Sequence, residues 1–336
     1  MRHLIRSASL THYVEIARAV GLDPHRQLAL AGIDRVALLD PERKLPAEAV
    51  AHLLEDSARA AGAEDFGLRM AESRELSNLG PLALLLREEP TLRRAIEAMS
   101  RYMHLHTQAL ATHIEESGDL VVIREDVLHG PPGSQRQSSE LAVAVLFRLL
   151  RLFLGAGWRP QSVCFMHAAP RDRSTHLRVF GMPVRFGQEF DGLVCRRQDL
   201  ELPLPTYDPA MAQEVRRYLD TLLAQADTSM PDQVRQLVTG LLPLGVCSVE
   251  RIAEQLGVDR RTVHHHLSRH GQSYTGILHS VRADLALRYL ENRERPLSDV
   301  ATLLGFSSLS AFSRWFGQHF GCSVRQWRAG AAEAIE

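Results

Sequence analysis

Cysteine is scarce in this 336-residue sequence, which holds only Cys164, Cys195, Cys247 and Cys322. They lie far apart and fit no metal-ligand spacing, which excludes a small stapled scaffold and points to a reducing cytoplasm. Long apolar runs are missing too. The most apolar stretch, 141–154, is short, carries Arg148 and Arg151, and falls below membrane-spanning length. The first ten residues show neither a long apolar core nor a small-residue cleavage site, so no secretory signal is expected. Lysine is reduced to Lys44 among 39 basic residues, a bias to which no function attaches. What is present is ordinary for a soluble protein: 45% hydrophobic and 24% charged residues, 22 Gly and 16 Pro. That excludes collagen-like, coiled-coil and disordered classes, and the length suggests two or three domains with sizeable cores.

The net charge of -1 hides a split. Residues 260–328 hold ten arginines and four acids, a net of +6, together with six histidines. The preceding 259 residues carry a net of -5. An acidic body with a basic end points to a polyanion partner for the last third. Histidine adds to that charge only where it is protonated.

Periodicity predicts helices at 11–19, 45–61, 91–105 and 141–154, the third with Leu92, Ile96, Met99 and Met103 as its stripe. A hairpin is expected from 110–114 and 120–123 around a polar 115–118, with further strands at 162–166 and 193–196. Helices with a few separated strands imply a mixed α/β (α+β) domain over 10–200. Three prolines in 202–209 mark a domain exit. A linker with a helix at 211–223 fills 201–232, with a polar break at 227–231. From 233 to 329 the chain reads as an all-α domain, with turns at Gly257, Gly271, 292–296, Gly305 and Gly321.

That last domain contains a repeat. Ile252-Ala253-Glu254-Gln255-Leu256-Gly257-Val258 recurs 48 residues later as Val300-Ala301-Thr302-Leu303-Leu304-Gly305-Phe306. In each copy a small Ala allows close helix packing and a Gly permits a tight turn. A second helix follows, with Val263 and Leu267 as an i,i+4 apolar pair in the first copy and Phe312 and Phe316 in the second. The offset there is 49, so the second turn is one residue longer. Two helix-turn-helix units are predicted, with a linking helix at 277–290 whose Ile277, Val281, Leu285 and Tyr289 share one side. Trp315 and Phe320 are assigned to the core with Phe312 and Phe316.

Away from those apolar pairs, Arg261, His264 and His265 share a surface, and Ser310, Ser313 and Arg314 take the same places in the second copy. Arg forks onto guanine, while His and Ser exchange hydrogen bonds with base edges or phosphates. For Arg261 and Arg314 a base, a phosphate and water remain open, and for Ser310 a helix cap competes with DNA. Readers about one DNA turn apart, roughly 34 Å, would enter successive major grooves. His264-His265-His266 with His270 does not build a metal site. Consecutive helix residues diverge by about 100°, and no Cys or acid obviously completes a tetrahedron around His266 and His270.

The residues just quoted, with Arg260-Arg261-Thr262-Val263, Ser310-Ala311-Phe312-Ser313-Arg314-Trp315-Phe316, Gly321 and Trp327-Arg328, resemble the DNA-binding domain of AraC-type transcriptional regulators over about 90 residues. The resemblance implies base contacts from the early recognition-helix residues, here Arg261, His264, His265, Ser310, Ser313 and Arg314, with Arg260 beside them. Gly21-Leu22-Asp23, Ala31-Gly32-Ile33, Phe66-Gly67-Leu68-Arg69, Leu79-Gly80-Pro81-Leu82, Thr91-Leu92-Arg93 and Pro183-Val184-Arg185-Phe186 resemble the branch whose sensing half is not a cupin barrel. This chain departs from the family pattern with Val324 in place of Pro, Trp327 in place of Tyr, Gly317 in place of Lys or Arg, and His264 and His265 in place of Gln and Arg types.

The resemblance implies a cytoplasmic, effector-responsive activator of a bacterial catabolic or metabolic operon. Its expected partners are a double-stranded DNA operator, RNA polymerase, a small-molecule effector and a second copy in a homodimer, with no membrane, metal or cofactor. The competing reading is an enzyme domain fused to a DNA-binding module. No Ser-His-Asp set, carboxylate pair or phosphate loop stands out in 20–200 to favour it. The close polar pairs Ser139 and Glu140, His104 and His106, and Cys164 and His167 are read as structural.

Overall fold

The computed structural model describes residues 3–128, 135–225, 230–243, 245, 247–256, 258–291 and 295–333. Gly257, most of the break expected at 227–231 and residues 292–294 of an expected turn lie outside them. The chain divides into two compact units, Met1–Ala226 and Asp227–Glu336. Among the described residues, no helix is long and apolar enough to cross a membrane.

The first unit mixes strands and helices. Strand β1 (Leu4–Arg6) pairs antiparallel with β2 (Lys44–Pro46). Strands β3 (Leu110–Ser117), β4 (Leu120–Val127), β5 (Ser162–Cys164) and β6 (Gly192–Arg196) form an antiparallel sheet in the order β3-β4-β6-β5. The hairpin extends further than the apolar pattern implies, because Glu115 pairs with Val122 and Glu116 with Val121. An edge strand tolerates such polar residues. Gly118, at φ +59°, opens its two-residue turn.

Helices Ala47–Ala61, Leu92–His106 and Arg136–Leu154 supply most of the apolar wall. The third begins five residues before its apolar stretch, at Arg136. The helix Pro209–Gln225 lies within the expected linker, yet Val215 and Leu219 are buried in the first unit's core. Tyr102 donates to Asp220 at 2.8 Å, and Arg216 meets the buried Glu89 at 2.6 Å. Apolar residues at helical spacing were legible there, but not the surface that covers them.

Helix Phe66–Glu72 packs closely on Arg136–Leu154 at Gly67, whose N–H donates to Gln137 Oε1 at 2.7 Å. A Cβ at Gly67 would stand 2.1 Å from the Gln137 carbonyl oxygen, which is backbone and cannot swing aside. Gly67→Ala is therefore expected to destabilise the first unit by about 3 kcal/mol, the upper end of overpacking costs. Denaturant unfolding of the intact chain reads this, and a loss under about 1 kcal/mol would show that the two helices separate freely.

The second unit is helical throughout its described residues and has one core. Helix Met230–Leu241 leads to Val249–Leu256 and Arg260–Arg269; Leu297–Leu303 and Leu309–Phe320 follow the linking helix Tyr274–Glu291, and Val324–Glu333 closes the chain. The linking helix buries Ile277, Val281, Leu285 and Tyr289, and also Ala283, Ala286 and Leu290. A helix apolar on several sides is covered on several sides. Its 18 residues span about 27 Å at 1.5 Å per residue.

Candidate nucleic-acid interface

The repeat in the sequence is a repeat of hydrogen bonds. Val258 N–H donates to the Ala253 carbonyl at 3.0 Å, and 48 residues later Phe306 N–H donates to Ala301 at 2.9 Å. One residue on, the register changes. Asp259 caps the first recognition helix by accepting from Thr262 N–H at 2.7 Å; Ser308 caps the second by accepting from Ala311 N–H at 3.2 Å, an offset of 49. The extra residue of the second turn is thus Ser307. Both caps satisfy helix-start donors that would otherwise lack partners.

These anchors fix which side of each helix faces water. Val263 and Leu267 are buried, as are Phe312 and Phe316, together with Ile252, Ala253, Val300, Ala301 and Leu304. Leu256 and Phe306 are half-buried against the same core, while Gly305 lies exposed in its turn at φ +67°. Arg260, Arg261, His264 and His265 are exposed on the first recognition helix, and Ser310, Ser313 and Arg314 on the second. The Ser310 and Ser308 hydroxyls lie 3.0 Å apart, so the cap belongs to Ser308, with Ser310 beside it. Arg260 meets Glu250 at 3.0 Å with both side chains mostly exposed, a weak tie in water. Among the described residues, no such acid holds Arg261 or Arg314.

Sequence reasoning missed the residues that brace these faces. Arg282 donates from Nε to the Leu304 carbonyl at 2.9 Å and from a terminal nitrogen to the Gly305 carbonyl at 3.2 Å. Its guanidinium lies 4.5 Å from the Phe306 ring centre, and burial lowers its pKa. Trp315 Nε1 donates to His279 Nδ1 at 2.9 Å. Both contacts tie a recognition unit to the linking helix. The cap signal, Asp or Ser just ahead of an apolar-periodic run, was available in the sequence. The Arg282 contact spans more than twenty residues and gave no local sign. His270 Nδ1 lies 2.9 Å from the His266 carbonyl, and the described residues contain no cluster fit to hold a metal.

The first unit contains a cavity of about 860 Å³ where the helices Ala47–Ala61, Leu92–His106 and Arg136–Leu154 meet β1 and the β3–β4 end of the sheet. Its walls are mainly aliphatic, including Val50, Leu54, Met103, Leu141, Val145 and Leu149. Polar groups enter at few points. Burial, then the nearby Arg6, Arg74 and Lys44 charges, holds the His106 imidazole down to about 3. Burial pushes the Glu125 carboxyl well above the usual range, although Thr112 donates to it at 3.1 Å. A separate buried cluster gathers on Glu140, whose Oε1 takes Arg136 Nε at 3.0 Å and lies 3.0 Å from His176 Nε2 and 3.3 Å from His167 Nε2. His167 thereby faces Glu140, while the Cys164 thiol sits 3.6 Å from Ser162 Oγ.

The chain matches two family models: the arabinose-binding domain of AraC transcription regulators over residues 21–204, and a helix-turn-helix domain over 252–330. It is 31% identical to the HTH-type transcriptional regulator VirS of Mycobacterium tuberculosis over 328 residues, 97% of this chain and 96% of that protein. It is 30% identical to the ornithine utilization regulator of Pseudomonas aeruginosa over 186 residues, 55% of each chain. The crystal structure of the transcriptional regulator CdpR from Pseudomonas aeruginosa superposes with a TM-score of 0.47 at 20% identity, covering 91% of this chain and 96% of that one.

Proposed function

Since the chain belongs to the AraC family of transcriptional regulators, we propose that its two exposed recognition faces read one operator together while the first unit responds to a small molecule. The protein is a sequence-specific DNA-binding regulator and not an enzyme. The finer assignment rests on one observation: the same turn bond and the same cap recur in both copies, and each copy turns short polar and arginine side chains outward. Arg261 and Arg314 contact base edges. His264, His265, Ser310 and Ser313 complete those faces, and Arg260 exchanges its exposed Glu250 partner for a phosphate.

In this reading residues 233–329 bind DNA, while 10–200, with the helix Pro209–Gln225 packed into the same core, sense the effector and carry a homodimer contact. The regulator acts in the cytoplasm as an activator that recruits RNA polymerase. The apolar cavity supports the effector role, because a site of this volume with few polar groups suits a small ligand.

Competition binding tests the assignment. Arg261→Ala and Arg314→Ala are each expected to weaken operator binding by about 1 to 3 kcal/mol and binding to random duplex by less. Equal losses on both DNAs would move the residue from the base edges to the backbone.

A further inference from the structure

The cavity of the first unit has a charge pattern that narrows what it can hold. We propose that it binds an organic acid with one carboxylate and an apolar body, the carboxylate held by the Arg148 fork and balancing the buried charge of Arg74. The proposal rests on the effector reading above and names the chemical class of that effector.

Three arginines line the cavity: Arg74, Arg148 and Arg151. Arg74 is buried, and its hydrogen-bond acceptors are the carbonyls of Ala8, at 2.6 Å, and Ser9. Burial alone lowers its pKa, to about 10, with no carboxylate among the causes. Arg148 donates to the Arg74 carbonyl at 3.0 Å, and Arg151 to the Ala156 carbonyl at 2.6 Å. Among the described residues, none of the three guanidiniums has a carboxylate within ion-pair distance. For Arg74, the buried one of the three, a desolvated cation without a counter-charge is costly, and a guanidinium does not shed its proton to escape that cost.

The acids on the lining do not balance this charge. Burial first, and then neighbouring Asp126, pushes the Glu125 carboxyl well above the usual range and so disfavours its charged form. Glu75 is exposed, on the side where Arg148, Leu152, Gly155 and Ala156 are also exposed and the cavity opens. His106, with its depressed pKa, is neutral. Three arginines thus face two acids on the lining, one of them with its charged form disfavoured by burial, and an anion is the complementary guest. A cationic amine would add to the unbalanced charge.

The remaining wall excludes most anions. A sugar acid or a polyol would strand hydroxyls against Val50, Leu54, Met103, Leu141 and Val145, each without a partner. A carboxylate suits the arginines better than a phosphate ester. Arg74 already gives hydrogen bonds from both terminal nitrogens to backbone, which leaves Arg148 as the principal free fork for a single planar anion.

Calorimetric titration of the full chain with four probes of matched length tests this: decanoate, decanol, decylammonium and decyl phosphate. Decanoate is expected to bind at least tenfold more tightly than decanol or decyl phosphate, and decylammonium to show no saturable binding. In Arg148→Gln, an exposed change that spares the core, the preference for decanoate over decanol should fall to within twofold. Arg74→Gln should do the same if its melting curve stays cooperative, and the wild-type probe series stands even if that variant does not fold. Decanol matching decanoate, decyl phosphate or decylammonium binding more tightly than decanoate, or no saturable binding by any probe would overturn the proposal. So would an unchanged preference in Arg148→Gln. Operator affinity measured with each probe separates the two levels. A response to decanol without one to decanoate keeps the effector reading and removes the carboxylate, whereas decanoate binding that leaves operator affinity unchanged removes the effector reading.

Discussion

A fragment spanning residues 230–333 is expected to bind duplex DNA by itself and to lose about 150-fold in affinity when salt rises from about 50 to about 200 mM. Folding of the fragment follows from its core. Val263, Leu267, Phe312 and Phe316 are buried with the linking-helix residues Ile277, Val281, Leu285 and Tyr289 in one cluster made within the second unit. The salt response follows from charge. Residues 260–328 carry a net of +6, and Arg260, Arg269 and Arg325 are exposed besides the two arginines assigned to bases. With the Ser308-capped start of the second recognition helix, these provide for about four phosphate contacts, hence a log–log slope near about -3.6. Fluorescence anisotropy across a salt series measures the slope. A folded fragment with no DNA affinity at low salt, or with a slope near zero, would remove the DNA-binding role from this surface.

Phe316→Ala should abolish DNA binding by a different route. The side chain is fully buried and lies 5.8 Å from Phe312 and 4.4 Å from Phe320 between ring centres. Emptying such a site costs about 3 to 5 kcal/mol, a large part of a small domain's stability. Operator and random DNA should then lose affinity together, with a melting transition of the second unit shifted down by many degrees. Arg314→Ala, on the exposed side of the same helix, should leave that transition in place. Retention of wild-type melting by Phe316→Ala would show that the aromatic cluster does not hold the second recognition helix.

The second unit was legible because its information is local and occurs twice. A seven-residue pattern at offset 48, followed by apolar pairs at 49, located the helices, their buried sides and the longer second turn. The caps Asp259 and Ser308 were equally local and went unread. Arg282 was not legible, since its two carbonyl partners and the Phe306 ring lie beyond any helical or strand period.

In the first unit the hairpin showed as two apolar runs around a polar turn. The pairing of β4 with β6 joins residues about seventy apart, and nothing in either strand names its neighbour. The cavity is least visible of all. Its wall draws single residues from Ile5 to Ala156, and Arg74 and Glu125 acquire their chemistry from burial that the sequence does not display. Likewise His176, which completes the contacts of Glu140, comes from a helix at Ser174–Phe180 that carries little apolar periodicity.

Hydroxyl-radical footprinting of the full chain on genomic fragments that it selects tests the two-reader scheme most directly. Two recognition helices braced on one linking helix should protect two patches about one DNA turn, roughly 10 base pairs, apart on the same face of the duplex. Arg261→Ala should weaken protection in one patch and Arg314→Ala in the other. A single protected patch that both substitutions weaken alike, or protection without sequence preference, would contradict joint reading by the two units.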